Sequence, residues 1–568
     1  MEKTTYSWPP SSALDGRTQA FPELTAQQLT RIRAVSHLRK VAPGDILFEP
    51  NDTNISFFVL LSGAMEIVQP DLSGERQITT HGPGHFTGEI NMISGQRCLV
   101  RGRVTEAGDF LEMKSADFRS LVARDAELSE IFMRAFILRR LLLISHGMGN
   151  VILMGSRHSA DTLRIREFLS RNAHPFSYVD LDTDKDSQTL LDRFNVKLSE
   201  IPVIICNASG TVFRNPTTQK LADCLGFGAN IDNAQVRDVI IVGAGPSGLA
   251  AAVYAASEGL DSLVIETESP GGQAGSSSKI ENYLGFPTGV SGQELANRAL
   301  VQAQKFGAKM MIGHGVVRLD CHTRPYQIVL DNDDKLSAKA IIISTGAQYN
   351  KPQIANLKQF EGCGVYYGAT YIESQLCEGE DVVVVGGANS AGQAAVFLSQ
   401  TARKVHMLVR RNGLAETMSR YLIQRIAENP RIELHCNTEI VGMEGDAQLE
   451  RVTWLDKKTG ETSTHDVCHV FIMTGASPRT DWLQGCVALD NKGFILTGRD
   501  LDLLRATVPV ANPAHVWPLT RAPQMLETSL PAVFAVGDVR SGNVKRVASA
   551  VGEGAIAVHL VHRVLAEL

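Results

Sequence analysis

Between Asp238 and Glu266 the chain reads DVIIVGAGPSGLAAAVYAASEGLDSLVIE. Gly243, Gly245 and Gly248 have the spacing at which a strand turns sharply into a helix, backbone N–H groups approach a pyrophosphate, and helix and strand pack closely. Glu266 closes the second strand, where a carboxylate can hold a ribose hydroxyl. These residues suit dinucleotide binding, with the anion at a helix N-terminus. A second unit, DVVVVGGANSAGQAAVFLSQTARKVHMLVRR, runs from 381 to 411. It ends in Arg410 and Arg411 instead of an acid, and arginine there favours the 2′-phosphate of NADPH over the 2′-hydroxyl of NADH. Ala388 stands at its second glycine position, and its methyl is expected to crowd the pyrophosphate or to shift the turn.

The elements that must position these residues are apolar strands entering glycine turns, each followed by a helix rich in small residues. Residues 239 to 257 are uncharged and could pass for a membrane span, but Gly243, Gly245, Pro246 and Gly248 interrupt them. Two more strands run into glycine turns, IIISTGA at 341 to 347 and VFAVGDVRSGNVKRVASAVGEGAIAV at 533 to 558, the latter continuing into a helix. A chain of 568 residues needs several cores. A net charge of −6 with no basic run argues against nucleic-acid or membrane-surface binding by electrostatics. The opening MEKTTYSWPPSSALDG has no signal-peptide core, and the nine cysteines include no CxxC, so a reduced, cytoplasmic protein is expected. His559 and His562 lack the neighbours of a metal site, and no metal is expected.

The ordered set GAGPSG, GGQAG (271–275), STGA, GGANSA and AVGD resembles the thioredoxin-reductase-like flavoproteins from about residue 236 to 568. The resemblance implies two Rossmann-like α/β nucleotide-binding domains. One binds FAD and is built from 236–352 and 480–568; the other binds NAD(P)H, covers 353–479 and is inserted between those stretches. By position, Gly243, Gly245, Gly248, Glu266, Gly272, Gln273, Gly537 and Asp538 would hold FAD, and Gly386, Ser390, Ala391, Arg410 and Arg411 would hold NADPH. A helix directly after Gly537, carrying Val539 and Arg540, would turn its N-terminal N–H groups toward the flavin.

In that family a CxxC opens the NADPH domain. The equivalent stretch here is GVYYGATYIES, with Gly368 and Tyr371 in the two cysteine positions, so no thiolate or resolving partner is present. Tyr371 or Tyr367 is a candidate to stack near the flavin ring. Cys363 and Cys377 flank the stretch, and Cys206 and Cys224 lie upstream; each is either a buried small hydrophobe or a redox group. Four roles stand: NADPH oxidoreductase with an external acceptor, thioredoxin-disulfide reductase through other cysteines, reductase of a ferredoxin-type carrier, and non-catalytic redox sensor.

Residues 148–232 resemble a glutaredoxin or thioredoxin fold, with Pro202 where that family places a cis-proline. Gly155, Ser156, Arg157, His158 and Ser159 occupy the dithiol position. Residues 1–147 resemble a cyclic nucleotide-binding β jelly-roll. In FTGEINMISGQRCLVRGRV, Gly88 and Glu89 would face a ribose and Arg97 a cyclic phosphate. Cys98, Leu99 and Val100 then depart from the family's small residues and hydroxyl, so a nucleotide effector site and a degenerate regulatory module both remain open. The long helix around Ile131 to Ile144 is strongly apolar, which together with the family resemblance suggests a homodimer.

Overall fold

The computed structural model describes residues 19–71, 74–145, 149, 151–183, 197, 200–206, 211–228, 231–446, 448–483, 485–502 and 517–567. The chain divides into two compact units. One comprises Met1–Ser156, Phe168–Ile231 and Gln304–Gly313; the other comprises Arg157–Glu167, Asp232–Ala303 and His314–Leu568.

The first unit opens with two antiparallel sheets. One runs in the order His37–Val41, Gly108–Met113, Phe57–Leu60; the other runs Ile46–Phe48, Arg101–Glu106, Ala64–Asp71, Gly74–His81. Their inward residues, among them Phe48, Phe58, Leu60, Met65, Val104 and Phe110, form one hydrophobic core that includes Cys98. The helix Ala126–Ser145 buries Phe132, Met133, Phe136, Arg139, Arg140 and Leu143. Phe132 packs edge-on to Phe57 and Phe86, at centroid distances of 5.0 and 4.9 Å. The apolar surface from which a dimer contact was expected is thus largely consumed inside this unit.

A third sheet follows in the order Thr211–Arg214, Val203–Cys206, Val151–Gly155, Ser177–Asp180. Its last two strands are parallel and the others antiparallel, a mixed sheet. The Ile201–Pro202 bond is cis, where the resemblance implied it.

In the second unit Ser262–Glu266, Val236–Val242, Lys335–Ile343 and Val533–Ala535 lie side by side and parallel. The valine and isoleucine runs are buried on both faces, as parallel strands between helices must be. Residues almost 300 apart in sequence therefore share one sheet. A second, wholly parallel sheet has the order Val365–Tyr366, His469–Ile472, Asp381–Val385, Lys404–Val409, Ile432–Cys436. The antiparallel pair Ala347–Tyr349 and Ala476–Pro478 carries the chain into and out of it.

One cysteine expectation is overturned. Cys321 and Cys486 form a disulfide with a Cα–Cα distance of 5.8 Å, joining residues 165 apart in sequence. Nothing in their local sequence signals it, because only folding brings the strand end at Asp320 beside residue 486.

Candidate functional site

The site begins at the C-terminal ends of the parallel strands, where open α/β sheets bind ligands. Gly243 has φ +102°, and a Cβ there would lie 2.4 Å from the Ser344 carbonyl, so the turn admits only glycine. The Ser344 hydroxyl donates toward the Gly243 carbonyl at 2.7 Å, which fastens the STGA turn to the GAGPSG turn. The Gly271 N–H donates to the Ala244 carbonyl at 2.7 Å, bringing in GGQAG. A Cβ on Gly248 would fall 1.9 Å from the Gly243 carbonyl, and one on Gly537 would fall 2.6 Å from the Ser247 hydroxyl. Four motifs spread over some 300 residues thus converge on one cradle.

The cradle fits FAD. A Cβ on Gly245 would meet nothing within 4 Å, so space opens in front of the turn where a pyrophosphate would lie. Gly245 is also the N-cap of the helix Pro246–Ser257 and supplies no side-chain cap, leaving first-turn N–H groups for an anion. The Glu266 carboxylate accepts from the Ala244 N–H at 2.7 Å and the Glu268 N–H at 3.0 Å. With about four lone-pair directions it retains capacity for a ribose hydroxyl. Gln273 Nε2 donates to the Ala347 carbonyl at 2.5 Å, and Gly272 lies on the Gly245 side, a Cβ there being 3.1 Å from the Gly245 Cα.

The arrangement at Gly537 differs from expectation. Residues Gly537–Val539 make a single 3-10 turn, and the helix begins only at Val547. Glu553 of that helix reaches back, accepting from the Gly537 N–H at 2.7 Å and pairing with Arg540 at 2.6 Å. This carboxylate takes up the Gly537 N–H, which the 3-10 turn leaves without a helical partner. Burial holds the Asp538 carboxyl above its ordinary range, against the opposing charge of Lys545.

In the second dinucleotide unit Gly386 has φ +148°, and a Cβ there would meet the Met473 carbonyl at 2.5 Å. Ala388 sits at φ −103° and ψ 178°, an ordinary extended conformation, and caps the helix Asn389–Leu398. Alanine fits this turn without strain. Ser390 is exposed in the first turn of the helix, whereas Ala391 is buried and packs 3.0 Å from where a Cβ on Gly386 would be. Arg410 and Arg411 both stand exposed after the strand Lys404–Val409, and Arg411 pairs with Glu416 at 2.6 Å.

Residues that motif spacing did not reveal lie between the two units' motifs. Tyr349, partly buried on the crossing strand, meets the Ser390 side chain and feels the charge of Asp538; desolvation raises its phenol above the ordinary range. A cavity of about 300 Å³ is lined by Asn282, Tyr283, Ser419, Tyr421, Arg546 and Val547, drawn from both sides. Only tertiary contact assembles them.

The segment that lacks the dithiol lies against the flavin cradle's own loop. Ala369 bridges Ser277, and a Cβ on Gly368 would be 3.6 Å from the Ser276 Cβ. Tyr371 is the first residue of the helix Tyr371–Leu376 and is half exposed. Thr370 and the buried Glu373 form a capping box that starts this helix, through a T-x-x-E signal legible in the sequence. Tyr367 is occupied elsewhere: its hydroxyl donates to Glu361 at 2.6 Å, and Lys351 lies over its ring at 5.2 Å. Cys363 and Cys377 are both free thiols, and burial pushes Cys377 up to about 12.

In the first unit, Gly88 has φ +107° beneath Phe136, and its carbonyl accepts from Arg139 at 2.8 Å. Glu89 is bound by Arg140. Arg97, expected to face a cyclic phosphate, extends to Gly226, where an added Cβ would lie 2.8 Å from its Nε. Cys98 and Leu99 are buried, and burial raises the Cys98 thiol to about 12. Among the described residues one group has metal-ligand geometry: His406, Glu433 and His435, with the two imidazoles 3.1 Å apart. It lies on neighbouring strands of the second parallel sheet, outside the dinucleotide motifs. His562 pairs with Glu258 at 3.0 Å.

Two dinucleotide-binding domains, one discontinuous and one inserted into it, each with a glycine turn at the end of a parallel strand, define a two-nucleotide oxidoreductase. Residues 237–510 match the family model described as pyridine nucleotide-disulphide oxidoreductase, and residues 38–125 match the cyclic nucleotide-binding domain. The chain is 31% identical to a thioredoxin reductase of Bacillus subtilis (strain 168), over 59% of this chain and 96% of that one. It is 34% identical to a thioredoxin reductase of Streptomyces clavuligerus over the same shares. Among solved structures, it is similar to Lactococcus lactis thioredoxin reductase (27% identity, TM-score 0.51, 58% of this chain and 100% of that one). The T. acidophilum thioredoxin reductase gives 30% identity and a TM-score of 0.50, covering 58% and 98%. The chain belongs to the thioredoxin reductase family. It is an FAD-dependent NAD(P)H oxidoreductase preceded by a cyclic nucleotide-binding-type domain. No helix among the described residues is long and apolar enough to cross a membrane.

Proposed function

We propose that the enzyme passes electrons from NADPH through FAD directly to an external acceptor, without a dithiol in the nicotinamide domain. The observation that carries this reading is the pair Gly368 and Tyr371, which supply no thiol in a segment that lies against the flavin cradle's loop through Gly368 at Ser276 and Ala369 at Ser277. FAD held in this cradle would supply the hydride-accepting and electron-releasing chemistry between NADPH and the acceptor. The chain's own residues do the positioning. Gly243, Gly245, Gly248 and Gly272 admit the FAD pyrophosphate, while Glu266, Gln273, Gly537 and Asp538 hold its ends. Gly386, Ser390, Ala391 and Arg410 receive NADPH, and the exposure of Arg410 suits it to the 2′-phosphate. Tyr349, between Ser390 and Asp538, excludes water where the two nucleotides approach.

The domain boundaries are 1–147, 148–232, 236–352 with 480–568, and 353–479. The first two domains regulate or target the flavin enzyme, with a nucleotide as candidate effector, and the enzyme works in the cytoplasm as a homodimer. A second reading, disulfide reduction through other cysteines, is favoured by the closeness of Cys206 and Cys224. Anaerobic stopped-flow decides between them. Flavin absorbance bleached rapidly by NADPH, and restored by a small-molecule or one-electron protein acceptor but not by oxidised thioredoxin, supports direct transfer. Restoration by oxidised thioredoxin alone overturns it, and a flavin that NADPH leaves oxidised makes the protein a sensor.

A further inference from the structure

Cys206 ends the central strand Val203–Cys206, and Cys224 lies in the last turn of the helix Thr218–Leu225. Their sulfurs are 2.9 Å apart. A disulfide needs about 2.05 Å, so bond formation asks for a closure of under about 1 Å. Cys206 is buried at 6% exposure, and Cys224 is partly open to solvent, so an external disulfide can reach one sulfur while the other waits behind it. The hydrogen bond from the Cys206 thiol lowers the Cys224 thiol, and Arg97 lowers it further; Cys206 is correspondingly raised. A helix C-terminus disfavours a thiolate, and the guanidinium of Arg97 beside Gly226 supplies the missing positive charge.

We propose that Cys206 and Cys224 form a reversible dithiol–disulfide pair that exchanges with small-molecule disulfides, a second redox site outside the flavin motifs. The Cys224 thiolate attacks one sulfur of an external disulfide, forming a mixed disulfide and expelling the first thiolate. The Cys206 thiol gives up its proton to solvent and attacks the Cys224 sulfur, expelling the second thiolate. The protein pair loses two electrons and the external disulfide gains them, ending as two thiols. The site replaces, at a different place in the thioredoxin-like fold, the dithiol missing at Gly155 to Ser159. Arg97 comes from the same FTGEINMISGQRCLV segment as Gly88 and Glu89, so oxidation removes the negative charge facing a residue of the nucleotide-type domain.

The test uses the full chain without NADPH, so its result is independent of the flavin reading. The protein is equilibrated in reduced and oxidised glutathione mixtures, acid-quenched, alkylated and mapped by mass. Trypsin cuts at Arg214 and Lys220, placing the two cysteines in different peptides. Expected is joint loss of alkylation at both cysteines as the mixture becomes oxidising, with the two peptides linked. In Cys206→Ser, Cys224 should accumulate a glutathione adduct at least tenfold over Cys206 in Cys224→Ser. Alkylation of both cysteines unchanged across all mixtures, or equal adducts in the two variants, overturns the proposal. Mapping of the wild-type chain tests the pair even if a variant fails to fold.

Discussion

Arg140 and Glu89 form a two-pronged ion pair, with Arg140 Nη2 donating to Glu89 Oε2 at 3.0 Å and Nε facing Oε1. The carboxylate that the cyclic nucleotide-binding resemblance assigns to a ribose is thereby held by the helix that follows the β-roll. Both side chains are nearly buried, at 8% and 12% exposure. Removing one partner of such a pair leaves an uncompensated charge in a poorly solvated place.

Arg140→Ala is therefore expected to cost about 3–5 kcal/mol in the unit that contains it. The full chain should show its first thermal transition several degrees lower, and Glu89→Gln in the same chain should recover most of the loss. An unchanged transition would mean the pair is not formed in solution.

Gly245 and Gly248 separate flavin binding from folding. A Cβ at 245 enters open space, whereas one at 248 strikes the Gly243 carbonyl. Gly245→Ala should fold normally but purify with at least tenfold weaker FAD affinity, read from the ratio of absorbance at 450 and 280 nm before and after dialysis. Gly248→Ala should lose both flavin and thermal stability.

Arg410 and Arg411 are adjacent but differently engaged, Arg411 being paired with Glu416. Arg410→Ala should raise KM for NADPH about 10- to 100-fold through loss of a charge-assisted phosphate contact, with little change for NADH. Arg411→Ala should do less. Equal effects on both coenzymes would remove the 2′-phosphate assignment.

Burial, reinforced by the charge of Arg140, lowers the His174 imidazole to about 3, so the folded protein keeps it neutral. The unfolded chain binds a proton near pH 6.5, so stability is complete above that value and falls as pH drops toward the folded one. At pH 5 this amounts to about 2 kcal/mol. His81 is shifted in the same direction by burial, so His174→Gln should reduce, not abolish, the loss of melting temperature between pH 7 and 5.

Local spacing alone pointed to the nucleotide-binding turns. Gly243 and Gly386 take positive φ in their turns, Gly245 leaves open space before the helix, and the buried valine–isoleucine strands beside them follow from period and composition, so adjacent residues carry the pattern. The absence of a dithiol at Gly368 and Tyr371 is likewise a matter of residue identity. The Cys321–Cys486 disulfide, the approach of Cys206 to Cys224, the reach of Arg97 to Gly226, the capture of Glu89 by Arg140 and the return of Glu553 to Gly537 were decided only by the tertiary structure. Each joins groups from different elements of the fold, and their meeting depends on strand order and helix placement, which no local pattern encodes.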